Sequence, residues 1–387
     1  MTPIAGGGHD DIRRSVARLC ERFPGPYWQE LDAKRGYPTE FVAALTAAGF
    51  LAVLIPEPYG GSGLGLGAAA AVLEEIHKSG GNGAACHAQI YTMGTLLRYG
   101  SEAQKARWLP AIATGSIRLQ AFGVTEPDAG SDTTRTATRA ERTNEGWVVN
   151  GRKVFISRAE HSDLMLLLAR TTPGEAVAKR TEGLSVFLVN LREAVGRGLT
   201  IRPIPTMINH ATCEVTIEDL AIPSDSLVGV EGQGFRHILD GMNAERILIA
   251  AECIGDARWF IAKASDYARE RVVFGRPIGR NQGVQFPLAR AYAETEAAAL
   301  MVQRATHLFE AGEPCGTEAN LAKLLASEAS WHAADACLQT HGGYGFATEY
   351  DVERKFRETR LYQVAPISTN LILAQVAEHV LGLPRSY

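Results

Sequence analysis

The chain has 387 residues, which is long enough for two or three domains with a sizeable core. Its 39 lysines and arginines nearly balance 43 aspartates and glutamates, and a net charge of -4 does not favour binding to nucleic acid or to an anionic membrane. The ten histidines form no HExxH or comparable cluster, which argues against a metal site. The six cysteines are scattered without a CxxC pair, so free thiols in a reducing compartment are expected.

The N-terminal segment MTPIAGGGHDDIRRS has no apolar run after its charged residues and is not typical of a signal peptide. The longest apolar runs, such as 164–169 and 247–251, are far too short to span a bilayer. We therefore expect a soluble, cytoplasmic protein with no membrane partner.

Helical signals dominate residues 10–119. The segment TEFVAALTAAG opens on Thr39, a predicted N-cap, and closes on glycine. Ser101 and Gln104 form a predicted capping box ahead of a further helix. The glycine-rich loop at 56–67 lacks the GxGxxG spacing and follows no strand–helix unit, so it is interpreted as a hairpin between helices and not as a nucleotide loop.

Five short runs rich in β-branched residues follow, separated by turn residues: 147–157, 164–171, 184–191, 199–204 and 213–222. Because no helical pattern lies between them, they predict a small antiparallel sheet or barrel. Helical periodicity then returns in four long blocks that could form a four-helix bundle: 235–269, 284–310, 318–340 and 367–381. An α+β chain of three domains is predicted, with residues 1–119 helical, 120–232 forming a β domain and 233–387 forming a helical bundle.

Five blocks stand in a fixed order along the chain: FGVTEPDAGSD at 122–132, KVFIS at 153–157, RVVFGRPI at 271–278, QTHGGYGFATEY at 339–350 and STN at 368–370. The first is dense in glycines and hydroxyls, which let a flat heterocycle approach the backbone. Together the five blocks resemble the acyl-CoA dehydrogenase flavoprotein family, and the resemblance covers nearly the whole chain. It implies an all-α N-terminal domain, a small β middle domain and a C-terminal four-helix bundle.

The resemblance implies that the protein binds FAD. Beside the isoalloxazine ring it places Phe122, Val124, Thr125, Ser131, Phe155, Ile156 and Ser157. From the bundle, largely that of a neighbouring subunit, it places Arg271, Phe274, Gln282, Gln339, Gly343, Ser368 and Asn370 around the pyrophosphate and adenosine. A site shared across subunits implies a homo-oligomer, with a tetramer as the family norm. From the residues alone, Phe155 could equally be a core residue and Arg271 a solvated charge.

The family's reaction, which belongs to fatty acid metabolism, converts an acyl-CoA thioester to the 2-enoyl-CoA and passes the electrons to an electron-transfer flavoprotein. The resemblance implies that Ser131 also contacts the phosphopantetheine arm of the substrate. The α-proton of a thioester is only weakly acidic. The site therefore needs a well-placed base and donors that stabilise the developing enolate oxygen.

Most members of the family carry the catalytic glutamate a few residues after a Tyr-Gln pair, just before a Gly-Thr-Ser turn. This chain has Pro366 at that position and Ile367 in place of the glycine. Proline offers neither a carboxylate nor an N–H group, and that N–H is usually one of two donors to the thioester carbonyl. Pro366 is instead expected at the first position of the final helix.

Isovaleryl-CoA and long-chain acyl-CoA dehydrogenases place their glutamate on the first long helix of the bundle, directly before an arginine. Glu245 and Arg246 match that position. A carboxylate in an otherwise apolar helix needs a function or a partner, so Glu245 is the predicted catalytic base. The alternative is a Glu245–Arg246 pair that faces solvent or another subunit, and Glu252, on the same helical face, is the fallback base. Arg246 is assigned to support of the CoA moiety or to helix packing.

Arg158 and His161 replace small residues after the KVFIS strand, so they line the acyl pocket or form a surface pair. A base on the bundle helix leaves room at the far end of the pocket, which favours branched or bulky acyl chains. Pro366 keeps open another flavin reaction on the same scaffold, such as that of an oxidase, a monooxygenase or an enoyl-thioester reductase. A flavin-free assembly partner is the non-enzymatic alternative, against which the intact flavin motifs argue.

Overall fold

A computed structural model describes residues 9–385 of the chain. The first eight residues, which belong to the N-terminal segment considered above, lie outside this range. Among the described residues, no helix is both long enough and apolar enough to cross a membrane. The chain divides into two compact units. The helical unit contains residues 9–36, 65–83 and 243–385, and the sheet unit contains residues 37–64 and 84–242.

The α-helices of the described residues are numbered in chain order. They are α1 Asp10–Cys20, α2 Gly25–Lys34, α3 Thr39–Ala47, α4 Leu66–Lys78, α5 Ala84–Tyr99, α6 Glu102–Thr114, α7 Leu191–Ala194, α8 Gly234–Glu270, α9 Gln282–Glu310, α10 Gly316–His341, α11 Val352–Arg360 and α12 Thr369–Gln375. The first three long blocks predicted from the periodicity after residue 234 are confirmed as α8, α9 and α10.

The two predicted helix starts in the N-terminal part have different outcomes. The capping box at α6 is confirmed, because the Ser101 hydroxyl accepts from the Gln104 N–H at 3.1 Å and the Gln104 side chain accepts from the Ser101 N–H at 2.9 Å. The prediction that Thr39 is an N-cap is wrong. The carbonyl of Pro38 accepts the first helical hydrogen bond, from the Val42 N–H at 2.9 Å, so Thr39 is already the first helical residue.

The β-strands lie mainly in the sheet unit. They are β1 Leu119–Gly123, β2 Arg139–Arg142, β3 Gly146–Ser157, β4 Leu164–Arg170, β5 Leu184–Asn190, β6 Leu199–Pro203, β7 Thr212–Pro223 and β8 Leu227–Val228, with a small hairpin of β9 Val272–Val273 and β10 Arg276–Pro277 in the helical unit. The large sheet runs β6-β7-β3-β2-β4-β5-β8, and β1 also pairs with β4. The five predicted runs are confirmed as β3 to β7.

A purely antiparallel sheet was the wrong expectation, because β4 pairs in parallel with both β1 and β2. The side chains of β4 are buried on both faces of the sheet. Met165 and Leu167 pack into the core around Trp147 and Phe187, whereas the alternate residues of the strand pack into the core shared with α5 and α6. Parallel neighbours arrive through long connections, so no local turn signal in the sequence marks them.

The predicted final helix at 367–381 is shorter and starts later. Ser368 is the N-cap of α12, with its hydroxyl accepting from the Leu371 N–H at 3.3 Å, so the helix begins at Thr369. Pro366 therefore precedes the helix and does not occupy its first position. After α12, residues Val376–Val380 continue as a π-helical turn.

Helix α11 was not expected from the sequence, because its buried face is charged and gives no apolar periodicity. Arg354 pairs there with Asp351, from Nε to Oδ1 at 2.6 Å, and with Glu358, from Nη1 to Oε1 at 2.9 Å. A third bond runs from Arg354 Nη2 to the carbonyl oxygen of Gly80 at 2.8 Å. These contacts stabilise α11 against the segment after α4.

A buried ion cluster around Asp256 joins three helices of the helical unit. Asp256 on α8 forms an ion pair with Lys355 of α11 and a hydrogen bond with His77 of α4, from Nδ1 to Oδ1 at 2.9 Å. All three side chains are fully buried. His77 Nε2 accepts from the Gly83 N–H at 3.0 Å, which places the ring proton on Nδ1. Although burial acts to raise the pKa of Asp256, Lys355 and His77 hold it below its ordinary value.

We expect Lys355→Met to lower the melting temperature markedly, since it leaves the Asp256 carboxylate buried without its cation, a loss of about 3–5 kcal/mol. The control is Lys34→Met on α2, which removes an exposed ion pair to Glu30 at 2.6 Å and should change the melting temperature little. Calorimetry of the two variants beside the wild type makes the comparison. Equal, small shifts for both would contradict a stabilising role for the cluster.

Candidate active site

The loop after β1 is fastened to β3 by a buried ion pair. Lys153 Nζ donates to Glu126 Oε1 at 2.8 Å and to the carbonyl oxygen of Val124 at 3.1 Å. Glu126 also accepts from the backbone N–H groups of Ala137 at 2.7 Å and Thr138 at 2.9 Å. Burial acts to raise the pKa of Glu126, but Lys153 and these bonds hold it below its ordinary value. Burial lowers the pKa of Lys153 to about 8.

The end of β3 presents an exposed aromatic ring. Phe155 is 63% exposed and has a φ of 58°, and the pairing of β3 with β7 shifts between Lys153 and Ile156. A non-glycine residue with positive φ is uncommon, and such strain clusters at functional sites. The interpretation of Phe155 as a core residue is therefore wrong. Ile156 returns to the sheet core, so its side chain is not exposed to a ligand, and Ser157 is partly buried.

The other four residues predicted beside the ring lie on or just after β1. Phe122 and Val124 are partly buried against the sheet core, and Phe122 packs edge-to-face on Tyr91 with the ring centroids 5.7 Å apart. The Thr125 carbonyl accepts from the Val154 N–H at 2.9 Å, which fixes the loop backbone at this point. Ser131 is exposed. The structure thus brings Phe122, Val124 and Thr125 next to β3 and leaves Ser131 on the outer part of the loop.

A polar cluster follows Ser157. Arg158 is buried, with Nη2 at 3.3 Å from Nδ1 of His210 and Nη1 at 3.5 Å from its Nε2. Burial, then Arg158 and His87, lower the pKa of His210 well below its ordinary value, so its ring is neutral at pH 7. The interpretation of Arg158 and His161 as a surface pair is wrong. Arg158 is buried, and the His161 ring stacks on Tyr37 with the centroids 4.3 Å apart.

In the helical unit, the structure brings Arg271 close to the glycine-rich segment after α10. The Arg271 guanidinium lies over the Tyr344 ring, 5.6 Å from its centroid. Gly343 directly precedes Tyr344 in the chain, and a Cβ atom added to Gly343 would meet no atom within 4 Å. Gln339 is exposed in the last turn of α10. An exposed cation thus stands beside backbone that has open space around it, an arrangement suited to a phosphate group.

The hairpin formed by β9 and β10 carries the fully exposed ring of Phe274, whose φ is 52°. The Ile278 N–H donates to the Arg271 carbonyl at 2.9 Å, which closes this hairpin onto the end of α8. Gln282, the first residue of α9, follows and is exposed. An aromatic ring with this exposure is suited to packing against a ligand or another protein chain.

The turn that contains Pro366 is held by a buried lysine. Lys323 of α10 is fully buried and donates from Nζ to the Ile367 carbonyl at 2.7 Å. The Ala365–Pro366 peptide bond is cis. The next residue in the chain, Ser368, uses a lone pair of its hydroxyl oxygen for the cap of α12, which leaves the O–H free to donate to a ligand, and Asn370 is exposed in the first turn of that helix.

Glu245 and Arg246 are both buried on α8, at 7% and 9% exposure. The alternative of a pair that faces solvent is therefore wrong for this chain. Arg246 Nη1 donates to Asn243 Oδ1 at 3.1 Å, and burial lowers the pKa of Arg246 while Glu245 acts to raise it. Glu252 is fully buried, with Oε2 3.7 Å from His77 Nε2, so it belongs to the ion cluster around Asp256 and is the weaker candidate for a base.

Sequence reasoning missed the residues that hold these loops. Lys153 stands in the KVFIS block without a role assigned to it, although a lysine in a strand of mostly apolar residues is a signal of a buried partner. Lys323 belongs to a polar series on α10, with Asn320, Ser327 and Ser330 at helical spacing, and all four are buried. Such a series marks a polar interface inside a bundle.

The residues present fit an FAD molecule. A flavin needs an apolar surface for its ring, hydroxyl and backbone groups for its heteroatoms, and a cation for its pyrophosphate. The sheet unit offers the exposed ring of Phe155 with the hydroxyls of Thr125 and Ser157. The helical unit offers Arg271 beside the open backbone of Gly343. The predicted cofactor residues thus form two sets, one in each unit.

Comparison with known families decides the assignment. Family models for the N-terminal, middle and C-terminal domains of acyl-CoA dehydrogenases match residues 8–116, 121–220 and 232–381, respectively. The chain belongs to the acyl-CoA dehydrogenase family. It is an FAD-dependent oxidoreductase, and the expected fold class, with helical N- and C-terminal domains around a sheet-containing middle domain, is confirmed.

Individual relatives match nearly the whole length of this chain. Acyl-CoA dehydrogenase FadE12 of Mycobacterium tuberculosis is 36% identical over 379 residues, which cover 97% of this chain and 96% of that protein. A 3-(aryl)acrylate reductase of Clostridium sporogenes is 31% identical over 376 residues, which cover 96% and 98%. The structure of butyryl-CoA dehydrogenase from Megasphaera elsdenii superposes with a TM-score of 0.88 at 28% identity, covering 96% of this chain and 98% of that one.

We expect Arg271→Ala to weaken FAD retention far more than it affects the fold. A guanidinium on a pyrophosphate makes charge-assisted hydrogen bonds worth about 1.5–3 kcal/mol each, so the dissociation constant should rise about tenfold or more. FAD release followed by flavin fluorescence gives the constant. Arg269→Ala is the control, because this exposed arginine lies one half-turn earlier on α8 and pairs with Asp266. Unchanged FAD affinity in Arg271→Ala would remove Arg271 from the site.

Proposed function

We propose that the protein catalyses the FAD-dependent α,β-dehydrogenation of an acyl-CoA thioester to the 2-enoyl-CoA in fatty acid metabolism, and that an electron-transfer flavoprotein accepts the electrons. Family membership supports the reaction class, and the buried Glu245 on α8 is the observation that carries the mechanism. The six cysteines are all free and buried, which favours a reducing compartment, and we place the protein in the cytoplasm.

In this mechanism Glu245 removes the α-proton of the thioester. Two observations support it: Pro366 has no carboxylate at the commoner position, and Glu245 is a buried carboxylate at the alternative position that the family resemblance gives for the base. FAD, when bound, accepts the β-hydride. Phe155 would cover its ring, Thr125 and Ser157 would orient it, and Ser131 and Arg246 would each contact the acyl-CoA.

The cofactor residues of the helical unit support a homo-oligomer, and we propose a tetramer. Several large apolar side chains of this unit are exposed in the single chain, among them Phe274, Phe286, Leu300 and Phe346. Exposed apolar groups in such number are typical of a surface that another chain covers. A partner subunit that packs on the β9–β10 hairpin would complete the adenosine part of the site.

The purified protein should therefore be yellow with non-covalent FAD and sediment as a tetramer or dimer. The variant Phe274→Ser should shift the sedimentation profile toward smaller species and release FAD in parallel, because both depend on the same hairpin. Analytical ultracentrifugation with detection at the flavin absorbance measures the two together. A stable monomer that carries FAD would rule out the shared site.

Glu245→Gln tests the base. The variant should retain FAD and bind acyl-CoA, but substrate-dependent flavin reduction should fall by about two to four orders of magnitude, the usual contribution of a general base. Rapid-mixing absorbance under anaerobic conditions measures the rate. Glu294→Gln, which alters a surface pair with His332 on α10, is the matched control.

Pro366→Glu alone should not restore full activity to Glu245→Gln, because Ile367 still occupies the position of the usual glycine in the turn. A purely structural role for Glu245 would instead leave the reduction rate of Glu245→Gln near the wild-type value and lower its melting temperature. That result would show that a residue other than Glu245 is the catalytic base.

A second candidate is reduction of an enoyl thioester on the same scaffold. It is favoured by the resemblance to the 3-(aryl)acrylate reductase of Clostridium sporogenes together with Pro366 at the usual base position. The same anaerobic mixing separates the candidates, as a dehydrogenase bleaches its flavin with saturated acyl-CoA. A reductase would reoxidise its reduced flavin with the enoyl thioester, and an oxidase or monooxygenase would do so rapidly with oxygen.

A further inference from the structure

Two buried cations of the helical unit, Arg246 and Lys323, interact electrostatically, and among the described residues neither is bonded to a carboxylate. Within residues 9–385, Arg246 makes one hydrogen bond, to the Asn243 side chain at 3.1 Å, and its Nε has no partner. Lys323 makes one, to the Ile367 carbonyl at 2.7 Å. Arg246 is 9% exposed and Lys323 is fully buried. An N–H donor that is left unsatisfied in a buried site is costly, which favours an acceptor that arrives with a ligand.

The environment of both cations favours an anion. Burial, together with the charge of Arg246 and opposed by Cys253, lowers the pKa of Lys323 to about 8. Burial also lowers the pKa of Arg246, although Glu245 acts to raise it. Positive charge is therefore destabilised at both positions, and negative charge placed between them would relieve that destabilisation.

The hydrogen bond from Lys323 to Ile367 places Lys323 at the turn that contains Pro366, and the charge of Arg246 acts on Lys323. That turn has no N–H at residue 366, since proline lacks one. Arg246 directly follows Glu245, the proposed base, on α8. Removal of an α-proton from a thioester puts negative charge on its carbonyl oxygen, and that charge needs donors in place before the reaction.

We propose that Arg246, through its Nε–H, is the hydrogen-bond donor to the enolate oxygen of the substrate, and that Lys323 is a positioning residue that fixes the Pro366–Ile367 turn beside it. This assignment rests on the proposed function. The carbon–hydrogen bond at Cα breaks, its proton goes to the Glu245 carboxylate, and its electron pair moves into the enolate whose oxygen Arg246 binds.

The test uses the FAD-loaded oligomer and acetoacetyl-CoA, a thioester that forms an enolate without being dehydrogenated. The pH dependence of the enolate absorbance gives the apparent pKa of the bound probe. In Arg246→Gln this pKa should rise by about one unit or more, since loss of one oxyanion donor typically costs about 10²–10³-fold. Affinity for the neutral probe at low pH should fall less than affinity for the enolate at high pH. Arg269→Gln should behave as the wild type does.

A merely structural role for Arg246 would weaken binding of the probe at every pH and leave its pKa unchanged, which would overturn the assignment. If Arg246→Gln fails to retain FAD, Arg246→Lys decides, because it keeps the charge and loses the Nε donor. A wild-type pKa in that variant would also overturn the assignment. A wild-type enzyme that neither binds nor enolises acetoacetyl-CoA would instead sink the proposed function, and this inference with it.

Discussion

The ion cluster around Asp256 is the constraint on which the helical unit depends. Asp256 binds Lys355 and His77, and these three fully buried side chains come from α8, α11 and α4. Loss of one partner would leave a buried charge uncompensated, so these contacts favour the observed packing of the three helices. Helix α8 also carries Glu245, and the chain runs directly from α11 into the Pro366 turn. The cluster thereby anchors the helix that carries Glu245 and the helix that leads into the Pro366 turn, the two positions considered for the catalytic base.

Both units contain a buried lysine that donates a hydrogen bond to a backbone carbonyl of a loop. Lys153 donates to the Val124 carbonyl in the sheet unit, and Lys323 donates to the Ile367 carbonyl in the helical unit. Burial lowers both pKa values from 10.5 to about 8. The unfolded chain therefore binds more protons than the folded chain between about pH 8 and 10.5, and these two groups make the fold more stable as the pH rises through that window.

Sequence patterns predicted β3 to β7 and the three long helices α8 to α10, but missed the short strands β1, β2 and β8 and the helix α11, whose buried face is charged. The run at 164–171 was recognisable as β4, because an apolar strand buried on both sides shows as a continuous run. Helix α11 went unrecognised, because Arg354 and Lys355 occupy its buried face. The parallel neighbours of β4 depend on pairing between distant segments, which no local pattern records.

For the candidate site, too, the sequence identified some residues and missed others. The motif blocks located Phe155 and Arg271, and the structure places both in exposed positions that suit a ligand. Lys153 and Lys323, which bond to the loop after β1 and to the Pro366 turn, could not be assigned from sequence, since a lysine is far more often found on the surface. Only the three-dimensional contacts show that these two amines are buried and bonded to loop carbonyls.

Pro366 has a consequence for the whole proposed mechanism. A proline in the turn can provide neither the base nor a backbone donor, so both roles must come from elsewhere in the chain. Successive residues on a helix point about 100° apart, because an α-helix has about 3.6 residues per turn. On the proposal above, Glu245 approaches the α-carbon of the thioester and Arg246 its carbonyl oxygen from different directions. On this proposal α8 provides both chemical groups, and the turn that usually carries them only shapes the pocket.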